Sequence, residues 1–137
     1  MNVLFCAGFA PIVRDPEASL AFYRDALGLP LGDGEYPATG NIDGLKHFGL
    51  WRLADAARSC FDVDEWPSEV PVPQGCVEFE VEDLDAATND LRASGCRVLT
   101  GPRTEPWGQQ VSRLLSPEGL LIGVTITPGL RPDEGRH

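Results

Sequence analysis

An α+β fold built from two tandem βαβββ units is what this 137-residue sequence predicts, on three observations. Residues 13–28 recur in pattern at 81–95, an offset of 68 residues from Val13 to Val81, half the chain. Each copy leads an alternating strand pattern into an aspartate, Asp15 or Asp83, placed to cap an amphipathic helix that ends near a glycine. Each second half carries an acidic-glycine turn that opens a strand: Asp43-Gly44 ahead of 45–51, and Glu118-Gly119 ahead of 120–126.

Taken in order, unit one spans about 3–62, a linker 63–74 and unit two about 75–128, with a flexible tail at 129–137. The opening stretch 3–13 is apolar, short and broken by Gly8 and Pro11, so it reads as a strand and not as a secretion signal. The first helix presents Leu20, Tyr23, Ala26 and Leu27 as its apolar face. Gly32, Gly34 and Gly40 weaken the strands that follow. Residues 54–59 form a short helix, and Pro67, Pro71 and Pro73 mark the linker. In unit two the strand 76–82 alternates cleanly, with Val77, Phe79 and Val81 on one side and Cys76, Glu78, Glu80 and Glu82 on the other. Its helix turns Ala86, Ala87 and Leu91 inward.

Composition excludes several classes of function. At 42% apolar and 23% charged residues the chain has enough hydrophobic surface to fill one core. Eleven basic against twenty-one acidic residues give a net charge of −10, which repels phosphates and anionic lipid, so neither nucleic acid nor a membrane is an expected partner. No apolar run is long enough to cross a bilayer. Cys6, Cys60, Cys76 and Cys96 form no C-x-x-C pair and are expected to be reduced, mostly buried thiols, which suits a cytoplasmic protein.

The run D-x-x-x-S-x-x-F-Y-x-x-x-L-G-L from Asp15 to Leu29, the segment 77–87 and the turn Ser116-Pro117-Glu118-Gly119 resemble the vicinal-oxygen-chelate superfamily, the glyoxalase, extradiol dioxygenase and bleomycin-resistance group. The likeness covers roughly 3–128. It implies that the two units set curved mixed sheets around a cleft, helices on the outer face, and that the chain forms a homodimer. It also implies divalent-metal ligands near the starts of the first and last strands of each unit. Those positions fall here on Gly8, Phe48, Cys76 and Gly123, of which only cysteine has a side-chain donor, and a lone thiolate suits a hard, oxygen-rich site poorly. No metal and no other cofactor are therefore expected. A one-residue slip would turn His47 into the cleft in place of Phe48; the alternative sets His47 against the helix layer or at an edge. The other histidine, His137, ends the tail.

Candidate ligand contacts follow from the same strands. Glu78 lies deepest of the three carboxylates and is the best candidate to receive a cationic group or act as a general base, while Glu80 and Glu82 are expected at a solvated rim. Trp107, bracketed by Pro106 and Gly108, either covers a ligand or plugs a sheet edge or dimer contact. Trp51 reads as core. Trp66 lines the cleft or anchors the linker. Phe48 would form an apolar floor, Cys76 its neighbour, and Gln109 and Arg113, on one strand face, would supply polar contacts. The expected function is metal-free binding or sequestration of a planar or extended, neutral-to-cationic small molecule, such as an antibiotic. The alternatives are a metal-dependent lyase, isomerase or dioxygenase built on Glu78 and His47, and a partner-binding module whose tryptophans mark an interface.

Overall fold

The computed structural model describes residues 1–130. The strand β1 (Val3–Val13) leads to α1 (Pro16–Leu20), which continues as a π-helical turn over Ala21–Ala26. Three two-residue strands follow, β2 (Ala38–Thr39), β3 (Phe48–Gly49) and β4 (Trp51–Arg52), and then α2 (Leu53–Phe61). The second unit runs β5 (Gly75–Val81), α3 (Leu84–Ala93), β6 (Val98–Thr104), β7 (Gln110–Leu115) and β8 (Leu121–Ile126). The result is an α+β fold around a single curved mixed sheet of order β2-β3-β1-β5-β8-β7-β6, with β4 also pairing β1. The two units join where β1 and β5 run antiparallel, Gly8 opposite Glu78 and Ala10 opposite Cys76.

Local chemistry explains the helix starts. Asp15 accepts from the Ala18 amide at 3.1 Å and Asp83 from the Ala86 amide at 3.0 Å, each satisfying an otherwise orphaned N–H. In α1 the π turn, closed by the Leu27 amide on the Phe22 carbonyl at 2.9 Å, winds in an extra residue and rotates the end of the helix. Leu20 and Tyr23 therefore pack on the cluster of Val13, Leu31, Phe48 and Leu50, whereas Ala26 and Leu27, expected on the same face, are exposed. On α3, Leu84 and Ala87 meet Val81 and Val124, with Leu91 beside them, and Ala86 faces water. These two helices cover one face of the sheet.

The third helix does something different. Trp51, Ala56, Ala57, Cys60, Trp66, Val70, Cys76 and Leu121 form one cluster, flanked by Ala10 and Ile12. Cys76 lies on the face of β5 opposite Val81, so α2 packs against the face of the sheet that α1 and α3 leave open. The linker supports it: Trp66 is buried, its indole N–H donates to the Val70 and Pro71 carbonyls at 3.0 and 3.2 Å, and its ring meets Phe61 edge-on. Both glycine turns form as expected, Gly44 and Gly119 taking φ of 88° and 90°. Cys60 and Cys76 are buried, but Cys6 and Cys96 are exposed, because Cys6 lies on the unsheltered start of β1 and Cys96 beyond the end of α3. No helix among the described residues is long and apolar enough to cross a membrane. His137 and most of the expected tail lie outside the described residues.

Candidate functional site

What α2 leaves uncovered on this face is a cavity of about 890 Å³. The sheet register assembles its floor. Gly8, Glu78, Gly123 and Arg113 are lateral partners in one row across β1, β5, β8 and β7, so their Cβ positions point to the same side. Arg113 is 1% exposed, and its guanidinium is held on several sides. Nε donates to Ser59 Oγ at 2.7 Å, Nη1 donates to Glu78 Oε2 at 3.0 Å and to Cys76 Sγ at 3.4 Å, and the group stacks 4.6 Å from the centre of the Trp51 ring. Glycine at 123 is what allows this: a Cβ there would stand 3.2 Å from both Arg113 Nη1 and Glu78 Cγ.

Behind Arg113 the polar chain continues inward. Ser59 Oγ donates to Glu105 Oε1 at 2.9 Å, and Arg103 Nη1 donates to the Ser59 carbonyl at 2.8 Å, so α2 is tied to β6, β7 and the turn after β6. Glu105 is 3% exposed, and a carboxylate so buried needs the Ser59 hydroxyl and the Arg103 guanidinium, whose Nε stands 3.1 Å away.

On the other side of Glu78 stand Tyr36 and His47. The Tyr36 hydroxyl and His47 Nε2 are 2.8 Å apart and the two rings lie nearly parallel. Gly49 makes this contact possible, since a Cβ at that position would collide with the Tyr36 ring and hydroxyl. Gly8 plays the same part for His47, leaving room for its backbone carbonyl and Cβ. Burial pushes the Tyr36 phenol above its ordinary value, with Glu78 adding to the effect, so it stays protonated. Burial lowers His47 despite the opposing pull of Glu78, and the imidazole is neutral. Burial likewise raises the Cys76 thiol, which Arg113 only partly offsets.

The expected contacts are thereby sorted. Glu78, Cys76, Gln109, Arg113 and Trp107 all line the cavity. Gln109 is buried between Thr125, to which it donates at 2.9 Å, and Trp107, whose indole N–H it accepts at 2.9 Å, so a largely exposed ring is pinned at the mouth. Phe48 does not line it: β3 turns Phe48 into the cluster under α1 and sets His47 toward the cavity, the one-residue slip weighed above. Trp66 anchors the linker instead of lining the cavity. Glu80, expected at a solvated rim, is fully buried, because its carboxylate reaches the Thr127 amide at 2.9 and 3.1 Å. Glu82 is exposed as expected, and accepts from Asn2. Pro128 and Leu130, the latter from the stretch expected as a flexible tail, close one side of the cavity.

Tyr36, Ser59 and Glu105 escaped the sequence reading. Tyr36 shared with Trp107 the one usable signal, an aromatic ring in a glycine-rich loop. Trp51 read as core and is core, yet its ring also lines the cavity.

The metal that the resemblance implies does not fit these residues. Glycines 8 and 123 donate nothing, Phe48 is turned away, Glu78 is ion-paired with Arg113 and His47 Nε2 is taken by Tyr36. Among the described residues no three His, Cys, Asp or Glu side chains are grouped to hold a metal ion.

Comparison with known proteins is consistent across three sources. The Glyoxalase/Bleomycin resistance protein/Dioxygenase superfamily matches residues 9–124. A Bacillus subtilis (strain 168) protein of uncharacterized function, YraH, is 24% identical over 122 residues, covering 82% of this chain and 91% of its own. Among solved structures, a superfamily member from Vibrio splendidus 12B01 superposes with a TM-score of 0.58 at 15% identity, over 85% of this chain and 94% of its own. Methylmalonyl-CoA epimerase from Mycobacterium tuberculosis does so with a TM-score of 0.58 at 18% identity, over 93% and 91%. These structures share the fold.

Proposed function

Because the chain belongs to the Glyoxalase/Bleomycin resistance protein/Dioxygenase superfamily, we propose that its cavity binds a planar, neutral-to-cationic small molecule without a metal, in the manner of a sequestering protein. The observation that carries this reading is the floor itself, where Glu78 is neutralised by Arg113 and not by a set of metal donors. Aromatic rings surround that floor: Trp51 below, Tyr36 and His47 to one side and Trp107 at the mouth. Six carboxylates and four guanidinium groups line the whole cavity, so its field disfavours anions. A planar body stacking on Trp107, with a hydrogen-bond donor reaching Glu78, fits this arrangement.

The test is a titration of tryptophan emission with bleomycin and with neutral and cationic planar aromatics. Saturable quenching at one ligand per chain is expected, and it is lost in Glu78→Gln and weakened in Trp107→Ala. A ligand that binds both variants as it binds the parent protein places the site elsewhere.

A second reading, a metal-dependent lyase, isomerase or dioxygenase, has one observation in its favour: Glu78 and His47 do share the cavity. It requires chelator-sensitive turnover, for which a methylmalonyl-CoA thioester is the first substrate to try, given the epimerases that share the fold.

A further inference from the structure

We propose that the Arg113 guanidinium stands in the place where related sites hold their divalent ion, so that the cavity carries a fixed internal cation that keeps metals out. The argument is positional. The four strand positions implied as metal ligands are Gly8, Phe48, Cys76 and Gly123. Arg113 Nη1 lies 3.4 Å from the Cys76 sulfur and 3.2 Å from where a Cβ on Gly123 would be. Glu78, to which the same nitrogen donates at 3.0 Å, is the lateral partner of Gly8 on one side and of Gly123 on the other. Two of the four positions, Cys76 and Gly123, thus border the space that the guanidinium fills; Gly8 lies one strand away, beside Glu78 and against His47, and the fourth, Phe48, is buried under α1 while His47 faces the cavity.

The surroundings are built to keep it there. Ser59 fixes Nε, Trp51 supports one face, and the buried Glu105 behind Ser59 adds negative charge to balance a cation without access to water. A guanidinium cannot be titrated away near neutral pH, and any divalent ion placed beside Glu78 meets its charge within a few ångströms. Glycine at 123 has a matching logic, since the Cβ of a ligating side chain there would crowd Arg113 Nη1 and Glu78 Cγ, standing 3.2 Å from each. The inference does not depend on which molecule the cavity binds.

Paired variants test it by cobalt titration, read from the visible absorption of bound Co²⁺ and from metal content after gel filtration. Gly123→His introduces a donor at an implied ligand position. Combined with Arg113→Met, which keeps the volume of the arginine stem but removes the charge, it is expected to retain one Co²⁺ per chain. Combined with Arg113→Lys, which keeps a cation, it is expected to bind Co²⁺ roughly a hundredfold more weakly. The parent protein is expected to retain none.

Folding of each variant is checked by near-ultraviolet circular dichroism; Arg113→Gln serves as the neutral partner if the methionine variant does not fold. Equal Co²⁺ affinity with lysine and with the neutral residue overturns the proposal, as does a failure of every folded neutral variant to bind, or tight metal retention by the parent protein. Loss of small-molecule binding alone leaves these outcomes unchanged, and so separates this inference from the binding function.

Discussion

Gly123 sets how closely Arg113 and Glu78 can approach, and a single methyl group tests how much slack the floor has. A Cβ at 3.2 Å from both partners is tighter than ordinary contact, so Gly123→Ala is expected to lower stability by about 1–3 kcal/mol, measured by denaturant unfolding. His47 gives a pH dependence with a definite sign. Burial lowers its pKa in the folded chain below the ordinary histidine value of about 6.5, so between those two values the unfolded chain binds more protons. The stability that His47 contributes is complete above about pH 6.5 and is lost as pH falls through the folded value. Thermal melts between pH 7.5 and 5 are expected to show this decline, and His47→Gln to flatten it; a variant that declines as steeply as the parent would assign the effect to other groups. The thiols separate cleanly as well. Cys6 and Cys96 are exposed, whereas Cys60, raised to about 11 by burial, and Cys76 are enclosed, so a disulfide reagent at pH 8 is expected to titrate two thiols rapidly and the other two only on unfolding.

The helix α2 is the element that turns an open sheet face into an enclosed site, and Ser59 is its working residue. Its hydroxyl bridges two buried charges, accepting from Arg113 and donating to Glu105. Ser59→Ala is expected to cost about 1–3 kcal/mol by leaving both without that partner, and to weaken ligand binding through Arg113, whereas Ser59→Thr restores much of both. The capped helices α1 and α3, with their flanking glycines, were legible because capping and amphipathic spacing are local properties. The seat of α2 was not, because Ala56, Ala57, Ser59 and Cys60 are small and mark a close approach without saying to what. Arg113 was read correctly as sharing a face with Gln109, yet its burial was hidden. With helices on one face and α2 on the other, Val111, Ser112, Arg113 and Leu114 are all buried, and the period-two signal that separates inside from outside vanishes. Glu80 was misjudged for the same reason: a carboxylate satisfied by a backbone amide 47 residues away leaves no trace in its own strand. Phe48 and His47 exchanged faces because β3 is two residues long, too short for alternation to establish a register.

Across the whole molecule the two units are unequal. Unit two contributes four strands of six or seven residues, while unit one keeps a long β1 and three strands of two residues each. The three tryptophans report on this directly: Trp51 and Trp66 are each 8% exposed and Trp107 58%, so acrylamide is expected to quench one emitting residue of three, and Trp107→Phe to remove that component. The inequality also has a dynamic side. The residues that carry Tyr36 and His47 meet β1 through β3 at Phe9↔Phe48, with the Phe9 amide on the His47 carbonyl, and are otherwise bonded mostly to one another through β2 and β3, whereas β5, β7 and β8 are zipped along their lengths. Such a segment opens with a far smaller free energy than the sheet it leans on. Amide exchange with deuterium is expected to be faster over 36–47 than over 76–80 and 111–115. If residues 36–47 open while Arg113 and Glu78 stay locked, a ligand of the proposed kind reaches the cavity without any unfolding of the floor.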